Sequence, residues 1–152
     1  MRTTRVSRAE AAVLRRAATG LAARARAERG GELSLNQTAV LGRLMTHGAM
    51  TPGEMAAQLR MQPQSLTRTF AALEDAGYLL RTTDPGDGRQ FLLTITAAGR
   101  RALNDEMAPR DAWLARAMAH VLSGDECAEL LRAAELMERL AEFERGVVTV
   151  ER

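Results

Sequence analysis

A change of hydrophobic period at Gly77 constrains the fold of this chain more than any other feature of its sequence. Before Gly77, apolar residues recur every three or four positions, as on one face of an α-helix. After it, residues 78–83 and 90–95 are short β-branched and apolar runs, and the turn-rich segment 84–89 separates them. The pattern predicts a mainly α fold with one small β-hairpin (α+β).

Two helices are predicted before residue 50. The first covers residues 7–29, which lack proline, carry apolar residues at helical spacing and end at two glycines, residues 30–31. Ser34 can cap the second helix, which ends near Gly48.

A short helix and a longer one follow. Thr51 and Glu54 have the spacing of a capping box, with Pro52 at the first helical position, so a third helix is predicted to about Leu59. The fourth helix covers about residues 63–76. Its predicted inward residues are Leu66, Phe70 and Leu73.

A fifth helix is predicted after the hairpin, with Thr96 as its cap and Val121 near its end. Pro109 should kink it, because proline lacks an N–H and clashes with the carbonyl of Asp105.

The last predicted helix opens with a second capping box, Ser123 and Glu126. Residues 125–144 hold seven acidic residues against two arginines (net −5), whereas residues 1–29 hold eight arginines against two glutamates (net +6). The terminal helices are therefore complementary in charge, which suits packing within or between subunits. Two solvated faces that never meet are the alternative.

Composition excludes several classes of protein. The 152 residues fit one domain of ordinary size, and the single cysteine, Cys127, excludes an intramolecular disulfide framework. No apolar run approaches the roughly 18 residues that a membrane helix needs, and residues 1–26 lack a hydrophobic signal core. We therefore expect a cytoplasmic protein that is not associated with membranes.

The third helix, the fourth helix and the hairpin follow one another as in a winged helix-turn-helix. In that motif a recognition helix enters the DNA major groove, and the hairpin reaches sugar-phosphate or the minor groove. Six polar residues are predicted to be exposed around the first two turns of the fourth helix: Gln62, Gln64, Ser65, Thr67, Arg68 and Thr69. Their side chains suit adenine, guanine and phosphate, although an ordinary solvated helix face is the alternative.

Five successive segments resemble signatures of the MarR family of regulators. They are TPGEMA (51–56), QSLTR (64–68), LEDAGYL (73–79), DPGDGR (84–89) and LTITAAGR (93–100). The resemblance implies a homodimer whose first and last helices, with part of the fifth, form a dimerisation lobe. It divides the chain into a dimerisation helix (1–33), a winged helix-turn-helix domain (34–100, wing about 78–95) and C-terminal helices that complete the lobe (101–152).

The resemblance also assigns two residues of the wing. Asp87 would orient Arg89, and Arg89 would enter the minor groove, although an incidental surface ion pair is the alternative. Gly86 and Gly88 predict a flexible wing, which shifts recognition toward the fourth helix. Thr51 completes the predicted set of DNA-binding residues.

An effector site is implied by the family alone. Many members bind small aromatic anions in a crevice bordered by the first, second and fifth helices. The matching stretches here contain Arg15, Leu44, Met45, His47, Met107 and Trp113. One arginine and several soft side chains could hold an aromatic carboxylate or another lipophilic molecule, although such residues also suit a core.

The predicted function is that of a transcriptional regulator without a cofactor, a repressor that binds double-stranded DNA at a near-palindromic operator and is released by a small molecule. The alternative is a winged-helix protein-interaction module, which would carry apolar residues on the outer face of the fourth helix. An enzyme with Cys127 as nucleophile is a second rival, but that residue falls on an apolar face. His47 and His120 lie far apart in the sequence and neither belongs to a recognisable ligand cluster, so no metal site is predicted. No Ser/His/Asp set is recognised, so no catalytic site is predicted either.

Overall fold

The computed structural model describes residues 5–28, 30–83, 86, 88, 90–141 and 143. Within these residues the elements are α1 (Arg8–Arg26), α2 (Leu35–His47), α3 (Pro52–Leu59), α4 (Pro63–Asp75), β1 (Leu79–Thr83), β2 (Phe91–Ile95), α5 (Ala97–Val121) and α6 (Gly124–Ala141). Six helices and one antiparallel hairpin confirm the predicted fold class. The chain forms two compact units, Met1–Asp111 and Ala112–Arg152.

Capping boxes begin four of the helices. The pairs are Ser7 with Glu10, Ser34 with Gln37, Thr51 with Glu54, and Ser123 with Glu126. Hydrogen bonds from the side chain and backbone of Ser7 lower the pKa of Glu10, and those from the backbone and side chain of Ser123 lower the pKa of Glu126. Because both folded-state pKa values are depressed, these two caps stabilise the fold above the ordinary pKa of 4.5 and weaken as the pH falls through the lowered values.

The first helix is shorter than predicted. It ends at Arg26, and the N–H groups of Ala27 and Glu28 donate to the carbonyls of Arg24 and Ala25, both at 3.1 Å. These bonds span three residues instead of four, so the last turn tightens and the α-helix ends before the glycine pair.

The core lies between α2, α3, α4, the hairpin and the first turns of α5. Its fully buried large side chains are Val40, Leu41, Leu44, Met55, Leu66, Leu73, Leu79 and Leu93. Phe70 of α4 is also buried, so all three residues predicted to face inward from that helix do so. Leu103 brings α5 into the same cluster.

The hairpin packs on the core through alternate residues. Leu79 pairs with Ile95 and Arg81 pairs with Leu93, and Leu79, Leu93 and Ile95 are buried. The sequence analysis missed one addition to this sheet. Met50 exchanges two backbone hydrogen bonds with Leu93, at 3.2 and 2.8 Å, and this bridge ties the segment before α3 to β2.

The start of α5 is pressed against the corner between α4 and β1. The Thr96 side chain accepts a hydrogen bond from the Gly99 N–H (2.9 Å), which confirms the predicted cap, and donates one to the Gly77 carbonyl (2.7 Å). A Cβ on Gly99 would lie 2.2 Å from the Tyr78 carbonyl oxygen. Only glycine allows this approach, so position 99 fixes where α5 leaves the hairpin.

The segment between α1 and α2 packs on α5 where proline interrupts the hydrogen-bond ladder. The helix continues through Pro109, and a Cβ on Gly30 would lie 2.5 Å from the Asp105 carbonyl and 2.7 Å from Pro109 Cδ. Beside it, Glu106 is 2% exposed and forms an ion pair with Arg110. This buried pair was not anticipated from the sequence.

The approach at Gly99 gives a test of the packing. Gly99→Ala should lower the free energy of unfolding by about 2–3 kcal/mol, because the added methyl overlaps a backbone carbonyl that cannot move freely. Urea denaturation measures the loss. Gly42→Ala is the matched control, since a Cβ there has nothing within 4 Å. That variant should be unchanged or up to about 1 kcal/mol more stable. Equal stability of the two variants would contradict the packing described.

Candidate nucleic-acid interface

One face of α4 is exposed and polar, and the opposite face is fixed in the core. Gln62, Gln64, Ser65, Thr67 and Arg68 are all exposed, as the sequence predicted. A helix turns about 100° per residue, which places Gln64 and Arg68 almost opposite Leu66. Packing of the inner face therefore determines which side chains the helix presents outward.

Thr69 does not belong to the exposed face, so its predicted exposure was wrong. It is 9% exposed, because it lies three residues after Leu66 and directly before Phe70. At about 60° from Leu66 around the helix axis, its side chain falls within the stripe that packs on the core.

The helix before α4 is held by its own cap. The Thr51 hydroxyl accepts a hydrogen bond from the Glu54 N–H (3.2 Å) and donates one to Glu54 Oε2 (3.0 Å). Met55 and Ala56 of α3 are buried, so this short helix is anchored in the core and sets the position of the turn that leads into α4. In this structure the Thr51 hydroxyl serves as a helix cap.

The turn between α3 and α4 contains an arginine in a conformation that usually needs glycine. Arg60 has φ 52°. Among the described residues it is the only one other than glycine whose φ is positive. Its N–H donates to the Ala57 carbonyl and the Met61 N–H to the Ala56 carbonyl, which is a Schellman motif. The end of α4 is closed in the same way with Gly77.

Arg60 is exposed and stands beside the predicted recognition helix, yet sequence reasoning missed it. The signal for a left-handed helix end is a glycine or asparagine, and neither occurs at this position. The side chain of Arg60 adds a positive charge to the turn that leads into α4.

The base of the hairpin is tied to the end of α4 by Arg81 of β1. Its guanidinium donates two hydrogen bonds to Glu74, Nε to Oε1 at 3.1 Å and Nη2 to Oε2 at 3.0 Å. The same guanidinium lies over the Phe91 ring, 5.8 Å from its centroid. Asp87 and Arg89, the predicted wing residues, lie outside the described residues.

The residues predicted for an effector site occupy different environments. Arg15 on α1 and Met45 and His47 on α2 are exposed, and Met107 packs against the core. Leu44 is 1% exposed and enclosed by the core, so it has no surface to offer a ligand in this structure.

Two further side chains from the sequence analysis lie in the second unit. Trp113 and Cys127 are both half-buried there. Over the described ranges no group of three or more His, Cys, Asp and Glu is placed to hold a metal ion. Among all described residues, no helix is both long and apolar enough to cross a membrane.

Comparison with known proteins identifies close relatives of this arrangement. Residues 33–91 match the sequence model of the MarR family. An HTH-type transcriptional regulator of Mycobacterium tuberculosis is 38% identical over 110 residues, which cover 72% of this chain and 76% of that protein. The HTH-type transcriptional repressor MdtR of Bacillus subtilis is 28% identical over 106 residues, 70% of this chain and 66% of that one. A solved transcriptional regulator structure from Pseudomonas aeruginosa has a TM-score of 0.71 and 37% identity, and the match covers 88% of this chain and 94% of that chain.

The cap of α3 can be tested by substitution. Thr51→Ala should lower the free energy of unfolding by about 1 kcal/mol, because the Glu54 N–H loses its acceptor. Thr51→Ser, the matched control, keeps the hydroxyl and should remain close to the parent. Guanidinium denaturation of both variants makes the measurement. A Thr51→Ala variant as stable as the parent would show that the hydroxyl is not needed as a cap.

Proposed function

The chain belongs to the MarR family of transcriptional regulators, and we propose that it is a homodimeric repressor that binds a near-palindromic operator through α4. It is a DNA-binding regulator and not an enzyme. The observation that carries the proposal is the division of α4 into a buried apolar face and an exposed polar face. A similar repressor, MdtR, supports the direction of regulation.

The exposed face of α4 has the chemistry to read a major groove. Gln64 and Arg68 lie one turn apart, so both side chains reach outward from the first half of the helix. An arginine can bond guanine O6 and N7, a glutamine can bond adenine N6 and N7, and Ser65 and Thr67 can bond phosphate. Gln62 completes this set, with Thr51, Asp87 and Arg89 as further proposed contacts.

A protein-interaction module without DNA binding is less well supported. Such a surface would expose large apolar side chains, since aromatic and aliphatic residues carry most of the energy of protein interfaces. None of the exposed large hydrophobic residues of the described chain lies on α4.

Dimerisation is proposed from the two terminal helices, neither of which has a buried residue. Their exposed large apolar residues are Val13, Leu14 and Leu21 on α1 and Leu130, Leu131, Leu136, Met137 and Leu140 on α6. Stripes of this kind need a partner surface in water. Two copies joined there would present two α4 helices to successive major grooves, roughly 34 Å apart.

An effector remains part of the proposal by family analogy. Arg15, Met45, His47 and Met107, all in the first unit, are the proposed contacts, and the expected ligand is a small aromatic acid or another lipophilic molecule. Its binding would shift the spacing of the two recognition helices and release the DNA.

The proposed location of the protein is the cytoplasm, where it would meet the proposed operator.

DNA binding is tested by selecting bound sequences from a random duplex library at fixed salt, followed by anisotropy titrations. We expect a near-palindrome to be enriched. Arg68→Ala should then lose roughly fivefold to more than a hundredfold in affinity and relax specificity at one base pair. Arg101→Ala, an exposed arginine on α5, is the control and should bind like the parent. Absence of any enriched sequence would refute operator binding, and a fully active Arg68→Ala variant would refute the role given to α4.

Dimerisation is tested at Leu131, which is 62% exposed on α6. Leu131→Glu should shift the protein toward monomer in sedimentation equilibrium, because a carboxylate would be desolvated in the apolar contact. Leu80→Glu is the control, since Leu80 is 57% exposed but lies on the hairpin. It should leave the dimer intact. A dimer that tolerates Leu131→Glu as well as Leu80→Glu would exclude α6 from the interface.

A further inference from the structure

We propose that Glu74 and Arg81 form a clamp that sets the angle of the wing relative to the recognition helix, with Arg81 as a positioning residue for DNA binding. The inference rests on the proposed function, in which α4 and the hairpin contact the same operator half-site. It assigns a role to two residues that neither face the major groove as part of the α4 recognition set nor belong to the core.

The clamp is a two-point contact and therefore directional. Arg81 Nε and Nη2 each bond a different oxygen of Glu74, at 3.1 and 3.0 Å. A bidentate guanidinium–carboxylate pair holds both planes in one orientation, unlike a single ion contact. The Phe91 ring, from the opposite strand, covers the guanidinium at 5.8 Å. Helix, first strand and second strand are thus joined at one side chain.

The clamp lies at the outer edge of the buried base of the hairpin, because Arg81 pairs with Leu93. Leu79, Leu93 and Ile95 anchor the base of the hairpin in the core, but residues 80–83 are exposed, and so is Phe91. A two-stranded ribbon has little rigidity of its own beyond the core that supports its base. Arg81 bonds α4 from the level of the hairpin at which burial ends. Its loss would therefore let the outer hairpin change direction while the fold stays intact.

Charge gives the clamp an unusual experimental signature. Glu74 places a carboxylate on the helix that would lie against DNA phosphates. By electrostatics alone, removing that negative charge should strengthen DNA binding. If Glu74 instead orients Arg81, removing the charge should weaken binding. The sign of the change in affinity therefore separates the two roles.

The first experiment compares Glu74→Gln with Asp75→Asn in the full-length protein, using the selected operator. Both variants remove one carboxylate from α4, but Asp75 is exposed and takes no part in the clamp. We expect Glu74→Gln to weaken DNA binding by roughly threefold or more. This loss corresponds to the lower end of the interaction energies measured between neighbouring residues. Asp75→Asn should bind as well as the parent or better.

Hydroxyl-radical footprinting of the operator at saturating protein gives a second readout. With Glu74→Gln, the DNA should lose protection at the flanks and keep it at the centre of each half-site.

A double-mutant cycle with Arg81→Gln completes the test. If the pair acts as one unit, Glu74→Gln/Arg81→Gln should bind no more weakly than Arg81→Gln alone. Additive losses, or a Glu74→Gln variant that binds as tightly as the parent with an unchanged footprint, would overturn the clamp. A parent protein that selects no operator would instead refute the proposed function, so the two failures are distinguishable. Thermal unfolding should show equal midpoints for Glu74→Gln and Asp75→Asn, which keeps a loss of folding from being read as a loss of positioning.

Discussion

The rotation of α4 about its own axis is the constraint on which the rest of the molecule depends. Leu66, Phe70 and Leu73 are buried against α2, α3 and the hairpin, so the helix has one permitted orientation. A rotation by a single residue, about 100°, would bring polar side chains into the core and expose leucines. The same packing that stabilises the domain therefore decides which side chains can reach a nucleic acid.

Much of this fold could be predicted because its signals are local. The caps at Ser34, Thr51, Thr96 and Ser123 act within three residues. Two apolar runs around a turn-rich segment predict the hairpin. Features that depend on distant neighbours were missed. The bridge between Met50 and Leu93 joins segments more than forty residues apart, and nothing in the sequence around either residue indicates it.

The same distinction applies to the candidate site. Exposure of Gln64 and Arg68 follows from helical periodicity, whereas the burial of Thr69 depends on how wide the apolar stripe of α4 is, which only the packed core determines. The pairing of Arg81 with Glu74 requires the chain to turn at Gly77 and come back along the helix end. The two residues are seven positions apart on either side of this turn. Neither the periodicity of a helix nor that of a strand predicts that they pair.

The contact between Gly30 and the Pro109 region couples two distant positions of the chain. Proline leaves the Asp105 carbonyl without its usual helical donor, and the segment before α2 passes so close to that carbonyl that no side chain fits at position 30. A substitution of Gly30 would therefore be tolerated only after the helix had changed shape around position 109. The residues at these two positions are therefore coupled through packing, although almost eighty residues separate them in the sequence.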